Sequence, residues 1–127
     1  MTHGPPKYLL DATSDGSSAG CEHLRRAIAR CRPRLHCFGH VHTGYGAQRI
    51  EYDEKEEDGI SSFPKEFVGK NGAKRKGFAS LPPNSAEAFK RDEGQTLLVN
   101  AAIENEEGEA ENLPWMVELE LAVKYRY

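Results

Sequence analysis

The stretch PRLHCFGHVHTGYG, residues 33–46, decides how this chain folds and what it can do. Pro33 stops any helix arriving from upstream, Leu35 to Phe38 form a short apolar run, and Gly39 ends it. That is the pattern of a buried strand, expected over 34–38. Two imidazoles follow, His40 and His42, and then a glycine-rich turn. If residues 40–42 are extended, both rings project to one side, because side chains alternate along a strand. A position directly after a parallel strand is its carboxyl end, where open α/β sheets build their sites. His40 and His42 are therefore candidate metal ligands. An H-x-H pair taken alone is only moderately specific, and a structural histidine pair competes with it evenly.

Upstream, CEHLRRAIARC (21–31) places Leu24, Ala27, Ile28 and Cys31 on one helical face, with Arg25, Arg26 and Arg30 mostly elsewhere. An amphipathic helix is expected there, capped by Ser17 or Ser18 and ended by Pro33. Helix, turn and strand make half of a βαβ unit. At the start of the chain, Thr2-His3-Gly4-Pro5-Pro6 sets His3 on a backbone that two prolines stiffen, which suits a ligand. The other histidines read as structural. His36 is expected in the core with one nitrogen bonded to backbone, and His23 in solvent.

Downstream, strands are expected at 45–52, 96–103 and 115–121, the last because apolar residues alternate with acidic ones at its end. Between the first two lies a different kind of sequence. It opens with the acidic run EYDEKEED, passes through the basic run KNGAKRK, and has few aliphatic residues. Residues 53–93 are expected to be a flexible charged insertion with little regular structure, whose deletion leaves the fold intact. The basic run reads as a solvated loop and not as a nucleic-acid patch, because aromatic residues are poorly interleaved with it. Gly44-Tyr45-Gly46 lacks the spacing of a phosphate-binding loop and reads as a turn.

The 127 residues suffice for one domain, and a net charge of -3 supplies no global field for collecting phosphate backbones. No nucleic-acid partner is expected. Cys21, Cys31 and Cys37 form an odd set with no C-x-x-C pair, so neither a disulfide framework nor a zinc ribbon is indicated. Reduced thiols in a cytoplasmic protein are the simplest expectation. No apolar run reaches the length that spans a bilayer, and no membrane partner is expected.

These residues resemble the C-terminal half of a calcineurin-like metallophosphoesterase, in particular a small branch of that family. The motifs that carry the resemblance are THGPP at 2–6, Asp11, the Gly20-Cys21-Glu22-His23-Leu24 helix start, PRLHCFGHVHTGYG at 33–46 and VNAA at 99–102. They occur in the family's order and cover most of the chain outside 53–93. The resemblance implies an α/β fold, the C-terminal half of a β-sandwich flanked by helices, with the insertion within it. It also implies two divalent metal ions (manganese, iron, zinc or nickel). His3 and His40 would match ligands of the second metal, and His42 a ligand of the first. Such a pair would activate water for attack on a small phosphoester or nucleotide substrate. No catalytic side chain of the family's set falls on this sequence.

The family's earlier motifs, D-x-H, G-D-x-x-D and G-N-H, do not occur in these residues. Asp11 and Asp15 stand in none of them. Three histidines divided between two metals leave each under-coordinated, so the chain alone is expected to bind metal weakly and to need the missing N-terminal half for activity. Two readings stay open: an enzyme fragment, and a non-catalytic interaction module that keeps the scaffold. A small zinc module built on the three cysteines is disfavoured by their spacing.

Overall fold

The computed structural model describes residues 1–121. One mixed sheet holds β1 (Leu35–Phe38), β2 (Gly46–Tyr52), β3 (Ile60–Ser62) and β4 (Thr96–Asn100) in the order β1-β4-β2-β3. β4 runs parallel to β1, with Phe38 opposite Asn100, and antiparallel to β2, with Gly46 opposite Asn100. All five β4 residues are buried, because the strand has a neighbour on each side and a covered face above and below. This is why TLLVN shows no polar alternation. The strand ends at Asn100, short of the expected 103.

The two faces of the sheet have separate covers. On one, Phe38, Ile50 and Leu98 pack with Ile28 of α1 (Glu22–Cys31) and with Leu9 and Leu10 of the preceding loop. On the other, Ala47, Leu97 and Val99 pack with Phe89 and with the partly buried Trp115, Val117 and Leu119. Each fully buried aliphatic side chain contributes on the order of 2 kcal/mol of transfer free energy.

Helix α1 keeps the expected span, but its ends differ from expectation. Cys21 occupies the N-cap without a side-chain bond. Ser18 is drawn away from that role, its hydroxyl bonded to the Asp11 carboxylate. At the other end Arg32 adopts a left-handed φ of 46°, and the helix stops before Pro33. Cys31, expected on the buried face, is exposed.

Three further expectations are corrected. Residues 53–93 are not without regular structure: they contain β3, α2 (Lys70–Lys76) and α3 (Pro83–Arg91). Few apolar residues suffice, because Ile60, Ala73, Ala79 and Phe89 are all directed inward and buried. The basic run is helix α2 and not a loop, its end closed by Gly77 at φ 83°. Residues 115–121 form no regular strand. Trp115 makes one bridge to Ala79, and the alternation reflects Val117 and Leu119 packing inward while Met116, Glu118 and Glu120 face water.

Polar anchors tie the 53–93 segment to the sheet. The Arg34 guanidinium closes the end of α3, donating to the carbonyls of Phe89 (2.7 Å), Asp92 (2.7 Å) and Gln95 (2.8 Å) while lying over the Phe89 ring. Glu66 accepts from Arg49 at 3.1 Å and from the Ser85 hydroxyl at 2.6 Å, with both charged side chains largely buried.

Candidate metal centre

The carboxyl ends of β1 and β4 carry the residues singled out above. The N-terminal residues run beside the end of β1, where Thr2 N–H donates to Cys37 O (3.1 Å) and Gly39 N–H donates to His3 O (3.0 Å). These main-chain bonds bring the His3 ring to the His40 ring, their centroids 4.5 Å apart. Both rings are exposed at the sheet end.

His40 and His42 do not sit in an extended segment. His40 has a left-handed φ of 69°, and His42 begins a one-turn 3-10 helix, η1 (His42–Gly44). Strand alternation therefore does not orient them. His42 is half-buried, and its Nδ1 lies 3.0 Å from the carbonyl oxygen of Asn105. A carbonyl only accepts, so Nδ1 carries the proton and Nε2 presents a lone pair. Metal-bound histidines commonly have this tautomer, fixed by a carbonyl behind the ring. Among the described residues, no three His, Cys, Asp or Glu side chains form a group able to hold a metal ion.

Asn100 is the residue that holds the loops around this end. Fully buried at the last position of β4, it donates from Nδ2 to Leu10 O (3.1 Å) and Val41 O (2.9 Å), and its Oδ1 accepts from Ala102 N–H (3.1 Å). Val41 stands between the two candidate ligands, so this amide fixes their loop to the N-terminal loop. Gly44 completes the junction. A Cβ there would fall 2.1 Å from Leu10 O and 2.8 Å from Asn100 Nδ2, so only glycine lets the loops approach this closely. The role of Asn100 was missed from sequence; a polar side chain closing an otherwise apolar buried strand was the available signal.

Asp11 is likewise a staple. The residue is only 4% exposed, and its carboxylate accepts from the N–H groups of Gly20 (2.8 Å) and Tyr8 (2.9 Å) and from the Ser18 hydroxyl. All three bonds fall on Oδ2. Tyr8 and Leu10, at φ 66° and 53°, are held in a costly left-handed conformation by this network. His23 is exposed, as expected. His36 is buried, but its Nε2 meets the Thr2 hydroxyl at 2.9 Å and not a backbone group. That hydroxyl donates to Gly4 O (2.8 Å), so Nε2 is the donor to Thr2.

Comparison with known proteins gives local similarity. Over 48 residues the chain is 46% identical to Metallophosphoesterase domain-containing protein 1 of Homo sapiens, covering 36% of this chain and 15% of that protein. Over 53 residues it is 45% identical to UPF0046 protein T07D4.2 of Caenorhabditis elegans, covering 41% and 13%. Over 55 residues it is 46% identical to a protein of Emericella nidulans named Probable rhamnogalacturonate lyase C, covering 42% of this chain and 5% of that protein. The chain thus spans less than a sixth of the length of each of these relatives. No protein-family model matches the chain, and no solved structure does.

Proposed function

We propose that this chain supplies the C-terminal half of a metal-dependent phosphoesterase site, with His3, His40 and His42 as its metal-binding side chains. The observation that carries the reading is the meeting of the His3 and His40 rings at the carboxyl end of β1, from positions far apart in sequence. The local similarity to a metallophosphoesterase domain-containing protein supports it. The lyase name belongs to a protein of which this match covers 5%, too little to carry its chemistry here.

The residues present do not complete a metal site. Two adjacent imidazoles and a third with the right tautomer fall short of the four to six donors that such ions take. The family motifs D-x-H, G-D-x-x-D and G-N-H would provide the rest, from another polypeptide segment. This chain's share of the work is to hold three nitrogens in place: His3 through the bonds to β1, His40 through the Asn100 clamp on Val41, and His42 through Asn105. Metal ions bound there would supply Lewis acidity toward a phosphoryl oxygen and an acidified water.

Two measurements test the proposal. In the first, manganese is titrated into the chain while the histidine ring resonances are followed by NMR. Paramagnetic broadening should reach His3, His40 and His42 and spare His23, with weak affinity; equal broadening of His23 would mean adventitious binding. In the second, manganese and a chromogenic phosphodiester are supplied to the chain alone and mixed with a polypeptide carrying the three absent motifs. The chain alone should hydrolyse essentially nothing. The mixture should turn over, and His40→Ala with His42→Ala should abolish it; turnover by the chain alone, or a mixture that stays inert, would overturn the proposal.

A further inference from the structure

Beside the glycine-rich turn that follows His42 lies a cavity of about 470 Å³, within the range of small-molecule sites. Its location follows from the same sheet end. One wall is Tyr45 and Gly46, at the start of β2 and opposite Asn100. Another is the 111–113 segment, which Asn112 ties back to the end of β4 by donating to Ala102 O at 2.9 Å, and to which Tyr45 Oη donates at Leu113 O. The third comes from residues 65–74, including the first turns of α2.

The lining has two characters. Tyr45 and Trp115, with ring centroids 6.2 Å apart and tilted by 47°, join Leu113 and Ala79 in an apolar wall. Phe67, 84% exposed, stands at the mouth. The charges are lopsided. Lys65, Lys70 and Lys74 line the cavity, and none is in an ion pair among the described residues. The two carboxylates on the lining are already engaged, Glu66 by Arg49 and Ser85, and Glu111 by Asn105 Nδ2 at 2.8 Å.

We propose that this cavity is a binding site for a small organic anion, a flat apolar body bearing a phosphate or carboxylate group. The body lies against Tyr45 and Trp115, and the anionic group meets Lys65 and Lys74. Three lysines facing one carboxylate that no cation neutralises, Glu111, leave the lining net positive and favour an anion, and an aromatic wall favours a planar partner over inorganic phosphate. The site goes beyond the metal-centre reading and stands without it, because none of its walls uses His3 or His40.

The chain contains one tryptophan, and it lines this cavity, so its indole N–H is a single NMR reporter. The ¹⁵N-labelled chain is titrated in EDTA with phenyl phosphate, benzoate, phenol and inorganic phosphate. Phenyl phosphate or benzoate should shift the Trp115 indole peak saturably, the tighter of the two naming the anionic group, with phenol and phosphate weaker by at least about tenfold. Lys65→Ala with Lys74→Ala should weaken the organic anion by about tenfold while the rest of the spectrum keeps its dispersion. His3→Ala with His40→Ala should leave it unchanged. The proposal is overturned by no saturable shift up to about 10 mM of either organic anion. Equal binding of phosphate or of phenol, or loss of binding in the histidine variant, would overturn it as well.

Discussion

The histidine-bearing end of the sheet and the 53–93 segment, which contributes β3 to that sheet, are held by different balances of forces. At the histidine end the attachments are directional and polar. One buried amide, Asn100, gathers two carbonyls and an N–H from three stretches of chain, and Asp11 gathers two N–H groups and a hydroxyl. In the segment the β3–β2 ladder and the main-chain bonds of Phe63 and Glu66 to β2 cover only residues 60–66, and beyond them the attachments are apolar anchors, Ala73, Ala79 and Phe89, helped by Arg34 and by the Arg49–Glu66 pair. Directional bonds fix atoms to a few tenths of an ångström, which a constellation of ligands needs. Apolar anchors fix only a surface and leave the sequence between them free to vary.

The harshest way to break this comparison is to remove one side of it. The antiparallel register of β2 and β4 ends with Ile50 opposite Thr96, so a short turn replacing 53–93 is geometrically able to join the strands. If the segment were a passive loop, the excised chain would keep its stability. Because Phe89 is 1% exposed, its loss alone should cost about 3–5 kcal/mol, comparable with the whole stability of a small domain. Chemical denaturation should find the excised chain largely unfolded.

On the polar side, Asn100→Ala should cost about 3 kcal/mol, since it leaves the buried Leu10 carbonyl and Ala102 N–H without partners and takes from Val41 O one of its two donors, the other being Gly44 N–H. The sharper expectation is its location. The ring resonances of His40 and His42 should broaden or shift in this variant, whereas Phe89→Ala should lower the denaturation midpoint without changing them in the folded population. Similar histidine shifts in both variants would erase the distinction between the two kinds of attachment.

The smallest effect concerns His36, beneath the N-terminal residues. Burial, and secondarily the Met1 ammonium, lower its pKa below the ordinary value of 6.5. The folded state therefore resists protonation more than the unfolded chain does. The associated stability is present above pH 6.5 and is lost as the pH falls from there to the lowered folded value. Denaturation midpoints measured between pH 8 and pH 5 should show this decline, and His36→Gln should remove that part of it. An unchanged profile in the variant would exclude His36 as its source.

The sequence by itself carried the parts of this protein whose information is local. Pro33, Gly39 and the period of the apolar residues set α1 and β1 within a residue, because helix and strand periodicity and chain-breaking residues act over a few positions. The H-x-H pair and THGPP marked the candidate ligands for the same reason. Only the tertiary structure decided what those residues meet. It put His40 in a left-handed conformation and His42 in a 3-10 turn, where alternation does not apply. It made helices of a charged stretch by burying Ala73 and Phe89, and it left 115–121 without a strand partner among the described residues. It also gave Asn100 its place at the junction of three loops, and gathered Lys65, Lys74, Tyr45 and Trp115 around one cavity. Burial and hydrogen-bond satisfaction depend on partners tens of residues away, and those partners exist only once the chain has folded.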